Sequence, residues 1–252
     1  MDRKIEKLTS RKNPVCVHIK KLAASRSYRY EQGQFLCEGK KLLEEAVKSG
    51  AMIELVISSG KIESDLPETT QVYYATASLI ESLSPLKTSQ GLLFTCRMPQ
   101  IKNDECFSGT HLLLDSIQDP GNIGSIIRSA HAFNIKGVIL TDGCADIYNI
   151  KTIRASMGAI FKQSVFKLSQ SEIIKLKQSG FRFIGTTSDR SSTCITEAKL
   201  EKSIIILGNE GQGISKQLLD ICDEMITIPL TPESESLNVA IAAAIILWET
   251  AR

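Results

Sequence analysis

Three polar turns, each following or preceding an apolar run, carry the residue types that could do chemistry. The first is Asp119-Pro120-Gly121-Asn122-Ile123-Gly124, followed by Arg128. The second is Gly208-Asn209-Glu210-Gly211-Gln212-Gly213, and the third Ser236-Leu237-Asn238. Glycines in such turns let backbone N–H groups approach a ligand closely. The carboxamides can hold a substrate's orientation by hydrogen bonding without titrating. The glycine spacing is not G-x-G-x-x-G, and no G-x-x-x-x-G-K-[ST] occurs, which disfavours an ordinary dinucleotide or nucleoside-triphosphate site.

Each turn also has an architectural reading. On spacing alone the second is a strand-to-helix turn with Glu210 near a helix start. Asn122 is the natural cap of the helix it opens, and Ser236 and Asn238 are good caps for the last helix. On the helix after Asn122, the residues Ile123, Ile126, Ile127, Ala130 and Phe133 form an apolar stripe. Arg128 lies about 140° from Ile123, so it faces solvent or a second protein surface.

The elements that must position these turns divide into two sets. An N-terminal α/β module begins with Asn13-Pro14 capping a helix that ends near Ala24. Arg26, Tyr28, Arg29 and Tyr30 then interleave charge with rings: either a surface for phosphates and unpaired bases, or a turn whose tyrosines pack on the core. A strand at Gln34 to Glu38, a helix at Lys40 to Ser49 and a strand at Ile53 to Ser58 are expected. A strand at Val72 to Ala75, a short helix at Leu79 to Leu83 and a strand at Leu92 to Thr95 complete the module. Pro99 to Gly109 reads as a linker, with the domain boundary near residue 105, giving domains 1–105 and 106–252.

From His111 onward strands and helices alternate, which predicts a mostly parallel sheet whose ligands sit at the carboxyl ends of the strands. The expected strands are Leu112 to Ser116, Val138 to Thr141, Ser164 to Leu168, Phe181 to Thr186, Ile204 to Leu207 and Met225 to Ile228. Helices are expected at Ile123 to Phe133 and Glu172 to Gln178. The last helix is apolar on nearly every side from Val239 to Trp248, so it must be covered by the core or by another subunit.

Composition narrows the class. The chain has 252 residues and a net charge of +2. Residues 1–30 hold nine Lys and Arg against two acids, a local +7 that an anionic partner such as nucleic acid would favour. Seven cysteines stand without C-x-x-C spacing, and the three histidines have no metal-ligand spacing, so neither a disulfide framework nor a metal site is expected. The apolar run Val239 to Trp248 is too short to span a bilayer, and the expectation is a soluble, cytoplasmic protein.

Taken in order, the three turns, the second with Leu207 and the third preceded by Ile228-Pro229-Leu230, resemble the three motifs of the SpoU (TrmH-type) RNA ribose methyltransferases of the SPOUT class. Arg154-Ala155-Ser156-Met157-Gly158-Ala159 is similar to a segment between the first two motifs. Residues 1–98, including Phe35-Leu36-Cys37-Glu38-Gly39, resemble the family's N-terminal substrate-binding domain.

The resemblance implies a C-terminal domain with a deep trefoil knot and a smaller L30e-like RNA-binding domain before it. It also implies a homodimer that uses S-adenosylmethionine to methylate a ribose 2′-hydroxyl in structured RNA. Ribosomal RNA is favoured over transfer RNA because a separate binding module suits a large folded target. A non-catalytic RNA-binding or ribosome-assembly factor of the same fold is the alternative.

By motif position, Thr186, Gly208, Asn209, Gly211, Ile228 and Leu237 would hold the cofactor. Arg128, Asn122, Glu210, Ser236 and Asn238 would form the catalytic cluster, with Arg128 as base or as electrostatic positioner. Two positions depart from the family pattern. Asn134 replaces a common glycine but can adopt the left-handed conformation. Pro232 replaces another and could reshape the loop before Ser236.

Overall fold

The computed structural model describes residues 5–99 and 107–252. The boundary expected near residue 105 lies outside them. In chain order the first elements are β1 (Ile5–Leu8), α1 (Pro14–Ala24), α2 (Arg26–Gln32), β2 (Gln34–Glu38), α3 (Lys40–Lys48) and β3 (Ile53–Ser58). β4 (Gln71–Ala75), α4 (Ala77–Leu83), β5 (Leu92–Arg97), β6 (His111–Leu114), α5 (Pro120–Ala132), β7 (Gly137–Leu140) and α6 (Ile150–Ser156) follow. The remainder is β8 (Val165–Lys167), α7 (Gln170–Gln178), β9 (Arg182–Thr186), β10 (Thr193–Cys194), β11 (Ser203–Leu207), α8 (Lys216–Leu219), β12 (Glu224–Thr227) and α9 (Val239–Ala251).

Two compact units result: Met1–Gln100 with Asp146–Phe161, and Ile101–Ala145 with Lys162–Arg252. The first unit holds a five-stranded sheet in the order β1-β4-β3-β5-β2, in which β5 runs antiparallel to both neighbours. Leu22, Leu36, Ile57, Ile80 and Leu93 form its core, and Ile150 of α6 is part of that same cluster. Asn13 caps α1 through the Val15 amide, and the helix ends at Ala24 as expected.

The stretch after Ser25 is a helix, not a turn: Ser25 accepts from the Tyr28 amide to start α2, and Gly33 in the left-handed region closes it. Sequence reading missed it because Arg26–Gln32 carries only Tyr28 and Tyr30 as large apolar side chains, two positions apart, which sets no helical stripe.

The second unit holds a seven-stranded sheet in the order β10-β12-β9-β11-β6-β7-β8, with every pair parallel. β11 is central and fully buried, which is why Ile204, Ile205 and Ile206 read as an unbroken apolar run. Burial of each such side chain contributes about 2 kcal/mol.

Asp119, rather than Asn122, caps α5: its carboxylate accepts from the Asn122 amide, and Pro120 takes the first helical position, where its missing N–H costs nothing. That arrangement releases the Asn122 side chain from capping. Asn134 is left-handed at φ 55°, as its type allows. Among the described residues no helix is long and apolar enough to cross a membrane.

Candidate active site

The carboxyl ends of β9, β11 and β12 enclose a cavity of about 500 Å3, within the usual range for small-molecule sites. Its walls are the three segments that parallel strands deliver to one edge of the sheet. β11 feeds directly into Gly208, where a Cβ would lie 2.2 Å from the carbonyl carbon of Gly213. Asn209 and Gly213 exchange both backbone hydrogen bonds, at 3.0 and 2.8 Å.

The second turn is therefore a closed hairpin-like loop and not the start of a helix. Glu210 stands exposed at its tip, well before α8, which corrects the architectural reading of that residue. The loop's shape comes from Asn209, whose Oδ1 accepts from the Gly211 and Gln212 amides at 2.9 and 3.2 Å.

Thr186, Gly208, Asn209, Gly211, Ile228 and Leu237 all line this one cavity, together with Glu210 and Ser236. Its floor is apolar, built by Leu207, Ile226, Val239, Ala242 and Ile246. The Thr186 hydroxyl is committed to the Ile206 carbonyl at 2.8 Å, so that residue presents its methyl group and backbone. Sequence reading missed Thr187, Arg190 and Glu235 in the same lining. Arg190 is the cavity's one cation among the described residues, donating to the Thr231 carbonyl at 2.9 Å. The signal for these was the rule about carboxyl ends, applied to the one to four residues beyond β9 and to the loop that follows β12.

Asn122 bridges the cavity wall to the last helix. Its Nδ2 donates to Glu210 Oε1 at 2.6 Å, and its Oδ1 accepts from Asn238 Nδ2 at 3.1 Å. Asn238 caps α9 by accepting from the Ala240 amide at 2.9 Å, so capping and bridging are both its work. Residues 116 positions apart in sequence thus share one carboxamide pair, and each amide's orientation is fixed by its partners.

Ser236 lines the cavity without capping α9. Arg128 is exposed on α5, lines neither this cavity nor the depression beside α9, and makes no hydrogen bond or ion pair with a described residue. Four of the five expected cluster residues therefore converge in one chain, and the fifth does not.

Beside this network α5 and α9 form an open apolar depression of about 580 Å3, lined by Phe133, Ile241, Ala244 and Trp248 among others. Ile241 and Trp248 are 53% and 58% exposed, and the Trp248 ring stands edge-on to Phe133. Among the described residues the apolar helix is covered on one side only.

Comparison with known proteins gives a consistent picture. Residues 109–248 match the SpoU rRNA Methylase family, and residues 13–93 the MRM3-like substrate binding domain. The chain is 34% identical over 247 residues to the 23S rRNA (guanosine(2553)-2′-O)-methyltransferase RlmP of Bacillus subtilis, covering 97% of this chain and 98% of that protein. An AdoMet-bound rRNA methyltransferase from Sinorhizobium meliloti superposes with a TM-score of 0.88 at 26% identity, over 98% and 97% of the two chains. AviRb, a SpoU methyltransferase from Streptomyces viridochromogenes solved with AdoMet, does so at 0.83 and 26%, over 95% and 97%. With both sequence motifs and whole-chain likeness in agreement, this protein belongs to the SpoU rRNA methylase family.

Proposed function

We propose that this protein methylates a ribose 2′-hydroxyl in ribosomal RNA, using S-adenosylmethionine held in the cavity at the ends of β9, β11 and β12. The observation that carries the reading is the Asn122–Glu210–Asn238 network set against that cavity. The residues present fit the cofactor: an apolar floor for a purine, and two carboxylates, Glu210 and Glu235, facing a ligand that bears a cationic sulfur. Bound S-adenosylmethionine supplies an electrophilic methyl group on sulfonium.

Around it, Thr186, Gly208, Asn209, Gly211, Ile228 and Leu237 form the walls, largely through backbone. A ribose hydroxyl is a poor nucleophile that must lose its proton as it attacks. Asn122 and Asn238 hold the reacting oxygen's surroundings in one geometry, and Ser236 and Glu210 stand at the cavity to accept or relay hydrogen bonds. Arg128, uncommitted on the same helix as Asn122, is available to RNA, either to assist deprotonation or to pin a phosphate.

Ribosomal RNA as the target draws support from the full-length likeness to a protein named for 23S rRNA and from the N-terminal substrate-binding match. Such a target places the work in the cytoplasm. The knotted backbone path implied by the motifs belongs to the same proposal, and an experimental chain trace through residues 208–238 tests it.

A second copy of the chain covers the α5–α9 face, giving a homodimer. Trp248→Glu is expected to yield monomers in sedimentation; a wild-type protein that is itself monomeric at micromolar concentration counts against the dimer. For the activity, labelled methyl should pass from S-adenosylmethionine to ribosomal RNA with wild type and not with Arg128→Ala. Absence of transfer by folded wild-type protein to rRNA and to ribosomal particles sinks the assignment.

A further inference from the structure

Asp115, at the carboxyl end of β6, is 4% exposed, and no cation pairs with it among the described residues. A buried carboxylate is tolerated only when donors surround it. Here they are neutral and come from three segments. The Ser215 amide donates at 2.7 Å, the Ser116 hydroxyl at 3.2 Å and the Thr141 hydroxyl at 3.3 Å.

Ser116 is a second anomaly, since it is left-handed at φ 58°, a conformation disfavoured for a residue with a Cβ. Its N–H donates to the Thr141 hydroxyl at 3.0 Å, and it packs so tightly on Gly143 that a Cβ there would lie 2.4 Å from Ser116 Oγ. The consequence is directional: the Ser116 carbonyl accepts from Asn209 Nδ2 at 2.9 Å. Asn209 is the residue that shapes the glycine turn, and Ser215 stands two residues after that turn closes at Gly213.

We propose that Asp115 is a positioning residue for the cofactor cavity: its buried carboxylate braces the Asn209–Gly213 turn from both sides, through Ser116 on one and the Ser215 amide on the other. This rests on the reading of the cavity as the S-adenosylmethionine site. It also gives Asn209 a defined part, because its Oδ1 and one Nδ2 hydrogen are already committed within the protein and it acts by holding the loop's shape. Buried polar networks of this kind set geometry as well as stability, since each unmade bond leaves an orphaned group.

The test uses the full chain in two measurements. Hydrogen exchange of the amides of residues 209–215 is followed without ligand, and binding of S-adenosylhomocysteine by calorimetry, for Asp115→Ala, Asp115→Asn, Thr141→Val and Asn209→Ala, and for Asn209→Ala combined with each of the other three. Asp115→Ala should speed exchange at Gly211, Gln212 and Ser215 and weaken binding at least about tenfold, as expected for losing hydrogen bonds to a buried charge. Thr141→Val, which removes one hydroxyl with little change of shape, should do so about threefold.

Asp115→Asn should recover binding to within about threefold, because its oxygen can serve Ser215 while the hydroxyls turn to accept from its amide. Adding Asn209→Ala to Asp115→Ala or Thr141→Val should cost little more, as residues acting through one element are non-additive. Additive losses, or unchanged exchange in both Asp115→Ala and Thr141→Val, overturn the proposal. If the loop loosens as described but wild type itself binds no S-adenosylhomocysteine, the brace stands and the cofactor reading falls.

Discussion

Arg29 on α2 and Arg128 on α5 are each a basic residue within a helix, and the fold uses them in opposite ways. Arg29 is 4% exposed and its guanidinium donates through Nε to Asp146 Oδ2 at 2.9 Å and through Nη2 at 2.5 Å, with Nη1 on the Leu22 carbonyl at 2.6 Å. Tyr30 adds its hydroxyl to the same carboxylate at 3.2 Å, and burial together with the Asp146 charge raises the Tyr30 phenol above its usual range. This cluster ties the Asp146–Phe161 excursion into the first unit, where Tyr148 stacks on Phe35. Arg128 by contrast touches no such partner.

The difference teaches that a basic and aromatic stretch is no guide to nucleic-acid contact until its partners are known. Arg29 is consumed by structure, whereas Arg128 stands exposed with no such partner among the described residues. Arg26 and Tyr30, with the guanidinium 5.7 Å over the ring, still present a partly exposed surface beside it.

The contrast can be broken by experiment, most forcefully at Arg128. Arg128→Ala should lower methyl transfer about a thousandfold while leaving the melting temperature unchanged, within the range for losing a group that assists proton transfer. An equal loss of stability would make it another Arg29. Arg29→Ala should do the reverse, destabilising by about 3–5 kcal/mol in denaturant titration because Asp146 is left buried and unpaired. Pairing it with Asp146→Asn should recover part of that.

Gly208→Ala should weaken S-adenosylhomocysteine binding about tenfold in calorimetry, since the added methyl group has no room against Gly213 and overpacking costs about 1–3 kcal/mol. The smallest effect belongs to the pair between half-buried Lys177 and exposed Asp223. The Lys177 hydrogen bond, then the Phe183 amide, hold the Asp223 carboxyl below its ordinary range. A depressed folded value means that the contribution is full above the unfolded carboxylate range and vanishes as pH falls through the folded one. Asp223→Asn should therefore lower the melting temperature slightly at neutral pH and not in strong acid.

Much of this was legible beforehand. Gln34 to Glu38 and Ile53 to Ser58 were readable to the residue because buried strands are apolar runs of strand length bounded by polar residues. The parallel sheet followed from alternation, and the edge carrying the cavity followed from the sheet. Some short elements were not legible: β1, α2, α6, β10 and α8 lack the unbroken apolar run that made other short elements readable. The α5 cap was misplaced by three residues because Asp119 and Asn122 are equally good caps by type, and only the position of Pro120 inside the first turn separates them.

By itself the sequence determined most of the strands, β1 and β10 excepted, that three polar turns follow one another in a family order, and that the final helix is too apolar to stand uncovered. Those are properties of local pattern and need no neighbour. Only the tertiary structure decided that Asn122, Glu210 and Asn238 share hydrogen bonds, that Asp115 braces the glycine turn, and that Arg29 is spent on Asp146. Each of those contacts joins residues at least 88 apart in the chain. A contact of that kind is a fact about which buried polar groups must satisfy one another, and it does not exist until the backbone has brought them together.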